Sequence, residues 1–482
     1  MANLKKGIGP VALVALGAAG VIGSSWLYLG STFFGAFGAG GTLIGFAIGT
    51  GFAAVVALAY AELASKFPRA GGEMVYAYVG GGRILGFVTG WMLIGAYGGM
   101  VAFYVTASGR LLTSVFPQLE TIPVYSIGGA TMYLPILVIG VALTLVMLAI
   151  NWYGINVGAI TQVIMFGIMI VLAVGVVAVG FGAGSIDNAL PLFDPAIQMV
   201  KSPVGATIAF LLPAFAFLTG FGVVVALAEE AKVKPKRLGT IVIISVVTAG
   251  VFYIVVLTAT AWIYPWEKTA ELTNGTIEAF KITGHPLVSN LAFVIGVLGL
   301  LTTFLAVFAA SSRMMLAMAR VELLPRFLAD VDEKSGVPRK ALLLTTAIGL
   351  GLGWLGPAAL VWFLDVGGVY IGVVWAFTVY AFYSVRRRYK NLESPYRVKL
   401  GWVPAFGAIA ALMVVAGGLI PGLPVSLIWP YEYIIVAAWI TLGLILYFLA
   451  PRSLSKEQAE QALLGDHYDN LRASSTGGAR AE

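Results

Sequence analysis

The residue types that most often carry out chemistry are scarce along this 482-residue chain. Cysteine is absent, which excludes disulfides and thiolate metal sites. Both histidines, His285 and His467, lie outside the apolar segments, so a histidine metal site or proton relay inside a membrane is excluded. The sequence contains no Gly-x-x-x-x-Gly-Lys-Ser/Thr phosphate loop. We therefore predict a protein that is not an enzyme, with no catalytic residue, metal or cofactor.

Glycine and hydroxyl residues instead interrupt the middle of the first apolar segment. Three glycines in the stretch Gly17-Ala-Ala-Gly-Val-Ile-Gly-Ser-Ser-Trp26 lead into Ser24 and Ser25. Glycine weakens a helix by roughly 1 kcal/mol relative to alanine, and serine hydroxyls compete for backbone groups. Backbone groups freed at mid-membrane are costly unless a ligand or protein group satisfies them. The stretch therefore predicts a helix break that binds a ligand.

A second stretch of this kind, Phe215-Ala-Phe-Leu-Thr-Gly-Phe-Gly222, lies in the middle of the sixth apolar segment. Paired interruptions in corresponding helices indicate the binding site of a transporter. A half-helix N-terminus offers free N–H donors and partial positive charge, and a half-helix C-terminus offers the reverse. Neither stretch contains a charged side chain, so the two breaks together suit a small zwitterionic substrate.

The elements that position these stretches are membrane helices. The chain is 60% apolar and 11% charged, whereas roughly 25% of residues in globular chains are charged. Its net charge of +7 is spread over loops, which argues against nucleic acid as a partner. The sequence predicts twelve spans in a lipid bilayer, near 11–33, 42–64, 85–115, 131–151, 155–182, 204–228, 239–264, 287–316, 341–355, 359–383, 404–421 and 430–450.

The distribution of lysine and arginine predicts the orientation of these spans. All but four of the 29 basic residues fall on one side if both termini share it. We therefore predict a multi-pass protein of the cell (plasma or inner) membrane with both termini cytoplasmic. The four exceptions are Arg110, Lys201, Lys268 and Lys281.

Segments one to five and six to ten look like two copies of one unit. The offset of 197 residues between Gly23 and Gly220 also places segment two on segment seven. Because five spans are an odd number, the copies must insert with opposite topology. We predict an all-α polytopic fold with a transporter core over 1–400, whose inverted repeats cover about 11–182 and 204–383. Two additional transmembrane helices at 404–450 and a cytoplasmic tail at 451–482 follow.

Several motifs resemble the amino acid–polyamine–organocation superfamily of permeases. The most specific is Tyr60-Ala-Glu-Leu-Ala-Ser-Lys-Phe-Pro-Arg-Ala-Gly-Gly-Glu-Met-Val-Tyr-Ala-Tyr78, which follows the family's loop between helices two and three. The others are Gly23-Ser-Ser25, Thr219-Gly-Phe221 with Glu229-Glu230, Ala309-Ala-Ser-Ser-Arg313 with Ala317-Met-Ala-Arg320, and Arg386-Arg-Arg388 with Pro395-Tyr-Arg397.

The resemblance implies a LeuT-like fold, transport of amino acids or related amines, and alternating access. A bundle of segments one, two, six and seven would rock against a scaffold of three, four, eight and nine. Segments five and ten would act as thin gates. The substrate carboxylate would meet the break in helix one and the amino group the break in helix six. The expected substrate-binding residues are Ile22, Gly23, Ser24, Ser25, Trp26, Tyr104, Phe217, Leu218, Thr219 and Gly220.

Three departures from the family pattern bear on substrate and coupling ion. Ser25 replaces the third glycine of the helix-one motif. Gly222 stands where many members have an acidic residue, which favours neutral or small polar amino acids over cationic ones. The helix-five position where proton-coupled members often carry a lysine is about Met169, so sodium and proton coupling both stay open.

Hydroxyl and charged residues supply candidates for ion coupling and gating. Thr302 and Thr303 could bind sodium, or could simply bond their own helix. A carboxylate at mid-membrane costs roughly 2.5–3.5 kcal/mol on insertion scales. Glu62 and Asp365 lie near the ends of apolar segments, where they can reach water, which favours structural or gating roles over proton or ion handling. A further candidate is an inner gate that pairs the acidic residues Glu229 and Glu230 with Arg69, Arg313 or Arg320.

Two alternatives stay open at this stage. One is a permease of the same family for amines or acidic amino acids, and the other is a substrate-binding sensor or channel built on the same scaffold. The sequence leaves the substrate, the choice between symport and exchange, and the oligomeric state undetermined.

Overall fold

The computed structural model describes residues 4–113, 115–423 and 425–476 and consists of helices packed side by side. Within these residues, nine helices are long and apolar enough to cross a membrane. Two shorter apolar helices, Pro10–Val21 and Val403–Leu419, accompany them. The expectation of a polytopic helical membrane protein is therefore confirmed.

Eighteen α-helices and one hairpin make up the described part. The helices before the hairpin are α1 Pro10–Val21, α2 Trp26–Lys66 and α3 Gly72–Thr113; the strands are β1 Pro123–Ile127 and β2 Ala130–Tyr133; and the later helices are α4 Leu134–Trp152, α5 Ile155–Ala183, α6 Pro203–Ala209, α7 Leu211–Phe217, α8 Gly222–Ala226, α9 Pro235–Ile263, α10 Trp266–Thr269, α11 Gly275–Ile282, α12 Pro286–Arg320, α13 Arg339–Gly353, α14 Ala359–Arg388, α15 Val403–Leu419, α16 Tyr431–Leu449, α17 Lys456–Leu464 and α18 Tyr468–Thr476.

Two kinks lie between predicted segments of the chain. The second half of segment one and all of segment two lie in α2, whose two helical parts are joined at Gly38, a residue outside helical geometry. Helix α3 likewise includes the end of the predicted loop and bends at Gly82. Both glycines have positive φ, 72° and 80°, which glycine adopts without steric strain. The chain therefore leaves helical geometry at Gly38 and Gly82, and α2 and α3 each consist of two helices joined at a kink.

The β1–β2 hairpin between α3 and α4 was not expected from the sequence. Its strands pair antiparallel around Gly128 and Gly129, which both have positive φ. Two positive-φ residues in a two-residue loop give the turn whose twist matches the paired strands. Helix α4 starts directly after β2, so the hairpin caps one end of the helical body.

The interior of the protein is formed by the interrupted helices and their neighbours. Helix α1 packs against α5, α9 and α12, and α3 packs against α12, α13 and α14. The short helices α7 and α8 are buried along their whole length, whereas α16 keeps many exposed apolar side chains. The glycine-rich stretches are thus enclosed on all sides, and the outer helices present apolar surfaces to lipid.

Candidate substrate site

The first apolar segment breaks where its glycines and serines predict. Helix α1 ends at Val21, and α2 begins at Trp26. Ile22 leaves the helical region with ψ of 89°, and the Gly23 N–H lies 3.0 Å from both the Val21 carbonyl oxygen and the Tyr253 hydroxyl. Four residues thus lie between a helix C-terminus and a helix N-terminus, whose backbone groups lack partners within a helix.

The sixth segment departs from α-helical geometry less than expected. Helix α7 ends at Phe217, and α8 starts at Gly222 after one 3₁₀ turn, Thr219–Phe221. The hydroxyl of Thr219 donates to the Phe215 carbonyl 2.9 Å away. The backbone is therefore tightened at this point and not opened. A 3₁₀ stretch in the middle of a helix often marks a hinge or strain.

The two interruptions touch each other through glycine. A β-carbon added to Gly220 would lie 2.2 Å from the carbonyl carbon and oxygen of Gly20. Gly299 of α12 approaches the break from another side, where its β-carbon would lie 2.9 Å from the Gly23 oxygen. Small residues permit this close approach of helix backbones. The end of α1 and the 3₁₀ turn of helix six therefore lie side by side within the protein.

A small cavity of about 20 Å³ lies at the break in helix one. A water molecule needs about 10–15 Å³ by this measure, so an amino acid would require its walls to move. Phe217 and Tyr104 lie on its walls, and the Tyr104 hydroxyl is 2.7 Å from the position of a β-carbon at Gly23. The complete lining consists of Val21, Gly23, Ser25, Met100, Phe103, Tyr104, Phe217, Tyr253, Thr303, Phe363 and Leu364.

This cavity includes some of the predicted residues and excludes others. Gly23, Ser25, Tyr104 and Phe217 line it. The remaining substrate candidates lie behind the lining, in or next to the two breaks; Trp26, for example, is fully buried against the Phe252 ring. These remaining residues are Ile22, Ser24, Trp26, Leu218, Thr219 and Gly220.

Tyr253 of α9 is a site residue that the sequence reading missed. Its hydroxyl donates to the Val21 carbonyl at 2.6 Å and accepts from the Gly23 N–H, so it spans the last turn of α1. Its ring packs edge-on against Phe217, which links the two interruptions. A buried tyrosine needs a partner for its hydroxyl, and its position in the middle of segment seven was the available signal.

The two candidate ion-coupling threonines bond differently. Thr302 donates to Gly299 of its own helix at 3.1 Å. Thr303 instead donates to the Ala19 carbonyl of α1 at 2.8 Å and lines the cavity. A cation at this place would compete with the Thr303 hydroxyl for that carbonyl. Sodium binding by this pair stays a prediction.

The predicted pairs of the inner gate are present at the exit of helix six. Glu229 accepts hydrogen bonds from both terminal nitrogens of Arg320, at 2.8 and 3.1 Å, and lies 3.6 Å from Arg69. Glu230 forms a bidentate pair with Arg313, whose Nε and Nη2 atoms donate to the two carboxylate oxygens at 2.8 and 3.1 Å. Both arginine partners on α12 are buried, so these pairs tie the helix-six exit to α12.

Electrostatics keep the Glu229 carboxylate ionised. Burial alone would raise its pKa, but the hydrogen bonds and charge of Arg320, the charge of Arg69 and the Leu4 N–H outweigh burial and hold the pKa at about 2. The N-terminal segment reinforces this junction, because the N–H groups of Gly7 and Ile8 donate to the Glu230 carbonyl.

The two candidate gating carboxylates inside apolar helices have different partners. Glu62 is paired with Lys66 at 3.1 Å and with the Arg386 guanidinium, and accepts from the Val398 N–H. Asp365 lies close to the carboxyl group of Glu432 of α16, a residue that the sequence did not single out. Glu432 accepts a hydrogen bond from the Ile428 N–H at 2.6 Å.

Helices interrupted around a small buried cavity define the class of membrane transporters with discontinuous helices. An amino acid permease family model matches residues 8–445, so this chain belongs to the amino acid permease family. The predicted family is therefore confirmed.

Three relatives show the range of that family. The chain is 27% identical to the branched-chain amino acid permease BcaP of Bacillus subtilis, over 94% of this chain and 95% of the relative. It is also 27% identical to a methylthioribose transporter of the same organism, over the same shares. A vacuolar cationic amino acid transporter 4 of Arabidopsis thaliana is 27% identical, over 80% of this chain and 64% of its own length.

Proposed function

We propose that this protein is a secondary active transporter that moves neutral amino acids, or close analogues, across the cytoplasmic membrane. The observation that supports this substrate class is the cavity at the break in helix one, whose lining has no charged side chain among the described residues. Such a site can satisfy a zwitterion only through helix-end dipoles and hydroxyls. Family membership and the branched-chain permease among the relatives support the same substrate class.

The lining favours a modest apolar side chain on the substrate. Met100, Phe103 and Phe363 form apolar walls opposite the polar Gly23 backbone. A buried charge without a partner is strongly unfavourable, so a cationic or acidic side chain would need a counter-charge that this cavity does not provide.

We further propose that transport proceeds by alternating access in a fold of twelve spans. Segments one to five and six to ten would form two repeats of opposite topology, and both termini would be cytoplasmic. The cavity is too small for an amino acid as it stands, so binding requires the half-helices to tilt. Tilting α8 would separate Glu229 and Glu230 from the arginines of α12, and these pairs would act as the inner gate. Glu62 and Asp365 would serve as further gating groups, and Thr302 and Thr303 as ion ligands.

The proposal is tested in two steps on the purified protein. A thermal-shift screen against amino acids, amines and methylthioribose, with sodium and pH varied, identifies the ligand. Labelled uptake of that ligand into proteoliposomes then measures flux. We expect neutral amino acids to raise the melting temperature and to be taken up with saturation. Stabilisation by cationic ligands alone would contradict the substrate class, and binding without flux would indicate a sensor.

A further inference from the structure

A buried carboxyl group without a cationic partner lies next to the interruption in helix six. Glu73, in the first turn of α3, is 1% exposed. Glu62, Glu229 and Glu230, which are buried as well, each have a lysine or arginine within 4 Å, but Glu73 has none among the described residues. Its Oε2 atom also has no hydrogen-bond partner in that part of the chain.

The groups that face Glu73 are hydroxyls and not charges. They belong to Tyr60 of α2 and to Tyr76 and Tyr97 of α3, and the Tyr97 hydroxyl shares with Glu73 the contact at Gly222. The Tyr76 and Tyr97 hydroxyls lack hydrogen-bond partners within the described residues. Tyr60 accepts a 3.5 Å hydrogen bond from Thr378 of α14, which connects this cluster to a further helix.

Helix α8 covers the carboxyl group through Gly222. A β-carbon at Gly222 would lie 2.4 Å from the Glu73 Oε1 atom and 2.8 Å from the Tyr97 hydroxyl. A side chain at position 222 would therefore displace the Glu73 carboxyl group from this contact. Gly222 is also the first residue after the 3₁₀ turn, so a tilt of α8 at that turn would move Gly222 away from Glu73.

A carboxylate enclosed in this way is unfavourable, because no cation offsets the loss of its hydration. The neutral acid suits the enclosure, and its O–H can donate to a neighbouring tyrosine oxygen. Once water reaches the group, the balance reverses, since an exposed glutamate is ionised at neutral pH. The protonation of Glu73 is thus linked to the position of α8.

We propose that Glu73 is a proton-binding site that couples proton movement to the transport cycle. It holds a proton while α8 packs against it. When α8 tilts away, the O–H bond breaks, the proton passes to water and the carboxylate stays behind. This inference rests on the proposed transport function and specifies its coupling ion as the proton and its carrier as Glu73.

The test compares the wild-type protein with Glu73→Gln, which keeps the shape of the side chain but cannot titrate. Both are reconstituted into proteoliposomes with the amino acid found by the thermal-shift screen. We measure accumulation driven by an imposed pH gradient, counterflow exchange without a gradient, and internal pH with an enclosed dye. Glu271→Gln, which removes an exposed carboxyl group outside the cluster, is the matched control.

We expect the wild type and Glu271→Gln to accumulate substrate with the pH gradient and to move protons with it. Glu73→Gln should retain counterflow but lose gradient-driven accumulation, so that its internal and external concentrations become equal. Unchanged gradient-driven accumulation by Glu73→Gln would overturn the proposal. Wild-type flux without proton movement, or flux driven by sodium alone, would overturn it even if the variant does not fold. A wild type without any flux would instead contradict the proposed function.

Discussion

At the scale of single residues, the site depends both on glycines, which have no side chain, and on tyrosine hydroxyls. Gly20, Gly23 and Gly220 let the backbones of the interrupted helices meet, and Tyr104 and Tyr253 place their hydroxyls against the break. Two substitutions test these contributions separately.

Replacing Gly23 by leucine should abolish uptake while folded protein remains in the membrane. The first carbon of the new side chain would lie 2.7 Å from the Tyr104 hydroxyl, so the chain fills the cavity. Labelled uptake and size-exclusion chromatography of the solubilised variant measure the two effects. Gly51→Leu is the matched control, since nothing lies within 4 Å of a β-carbon there. Normal transport by Gly23→Leu would show that the site lies elsewhere.

Replacing Tyr253 by phenylalanine should weaken substrate binding without unfolding the protein. The change removes one buried hydroxyl that bonds both Val21 and Gly23. A net hydrogen bond is worth about 1 kcal/mol, so we expect about a fivefold rise in the apparent dissociation constant. Concentration-dependent thermal shifts provide the measurement, and Tyr447→Phe, outside the cavity, serves as the control. Equal affinities for Tyr253→Phe and the wild type would contradict the role of this hydroxyl.

At the scale of elements, the junction between the helix-six exit and α12 is held by buried ion pairs. Breaking one partner of a buried pair typically destabilises a protein by about 3–5 kcal/mol. In the proposed cycle the same pairs separate when α8 tilts, so the contacts that stabilise the fold would also oppose inward opening.

The Glu229 pair predicts a specific acid sensitivity. Its folded pKa of about 2 lies below the ordinary value of 4.5, so the ionised group stabilises the fold above pH 4.5. That stabilisation is lost as pH falls from 4.5 towards 2. The melting temperature of Glu229→Gln should thus lie below that of the wild type at pH 7, and the difference should shrink over this range. Glu271→Gln should behave like the wild type throughout. A difference that stays constant down to pH 2 would contradict the assignment.

At the scale of the whole molecule, the C-terminal tail is part of the packed structure. Helix α17 begins with a capping box formed by Ser455 and Gln458. Arg69, which also contacts Glu229, donates to the Leu463 carbonyl at 2.8 Å. The described tail residues thus lie against the ion pair of Arg69 and Glu229. From the sequence we expected only a cytoplasmic tail at 451–482, of which residues 477–482 lie outside the described residues.

The absence of cysteine allows a direct test of topology. Single cysteines at the exposed positions Gln118 and Glu333 report on opposite sides of the predicted membrane. We expect an impermeant thiol reagent added to intact cells to label Gln118→Cys, and to label Glu333→Cys only after lysis. Labelling of Glu333→Cys in intact cells would contradict a cytoplasmic position for this loop.

The sequence alone determined the class of protein and the position of the main break. Apolar length, charge distribution and family motifs are local properties, so they indicate spans and family without coordinates. The destabilising effect of Gly23, Ser24 and Ser25 is equally local, and the helix ends beside them. At Thr219 the break is smaller than the sequence predicts, since the backbone there forms a 3₁₀ turn and the Thr219 hydroxyl donates to the Phe215 carbonyl.

Only the tertiary structure decided which distant groups meet. Tyr253 and the Glu73 cluster depend on contacts between residues far apart in the chain, which no spacing rule encodes. The sequence lacks the acidic residue that many family members have at the position of Gly222. In the fold, the carboxyl group of Glu73 lies next to this glycine. Burial and partner identity are properties of the packed helices, and they decide whether such a group is paired, neutral or free to carry a proton.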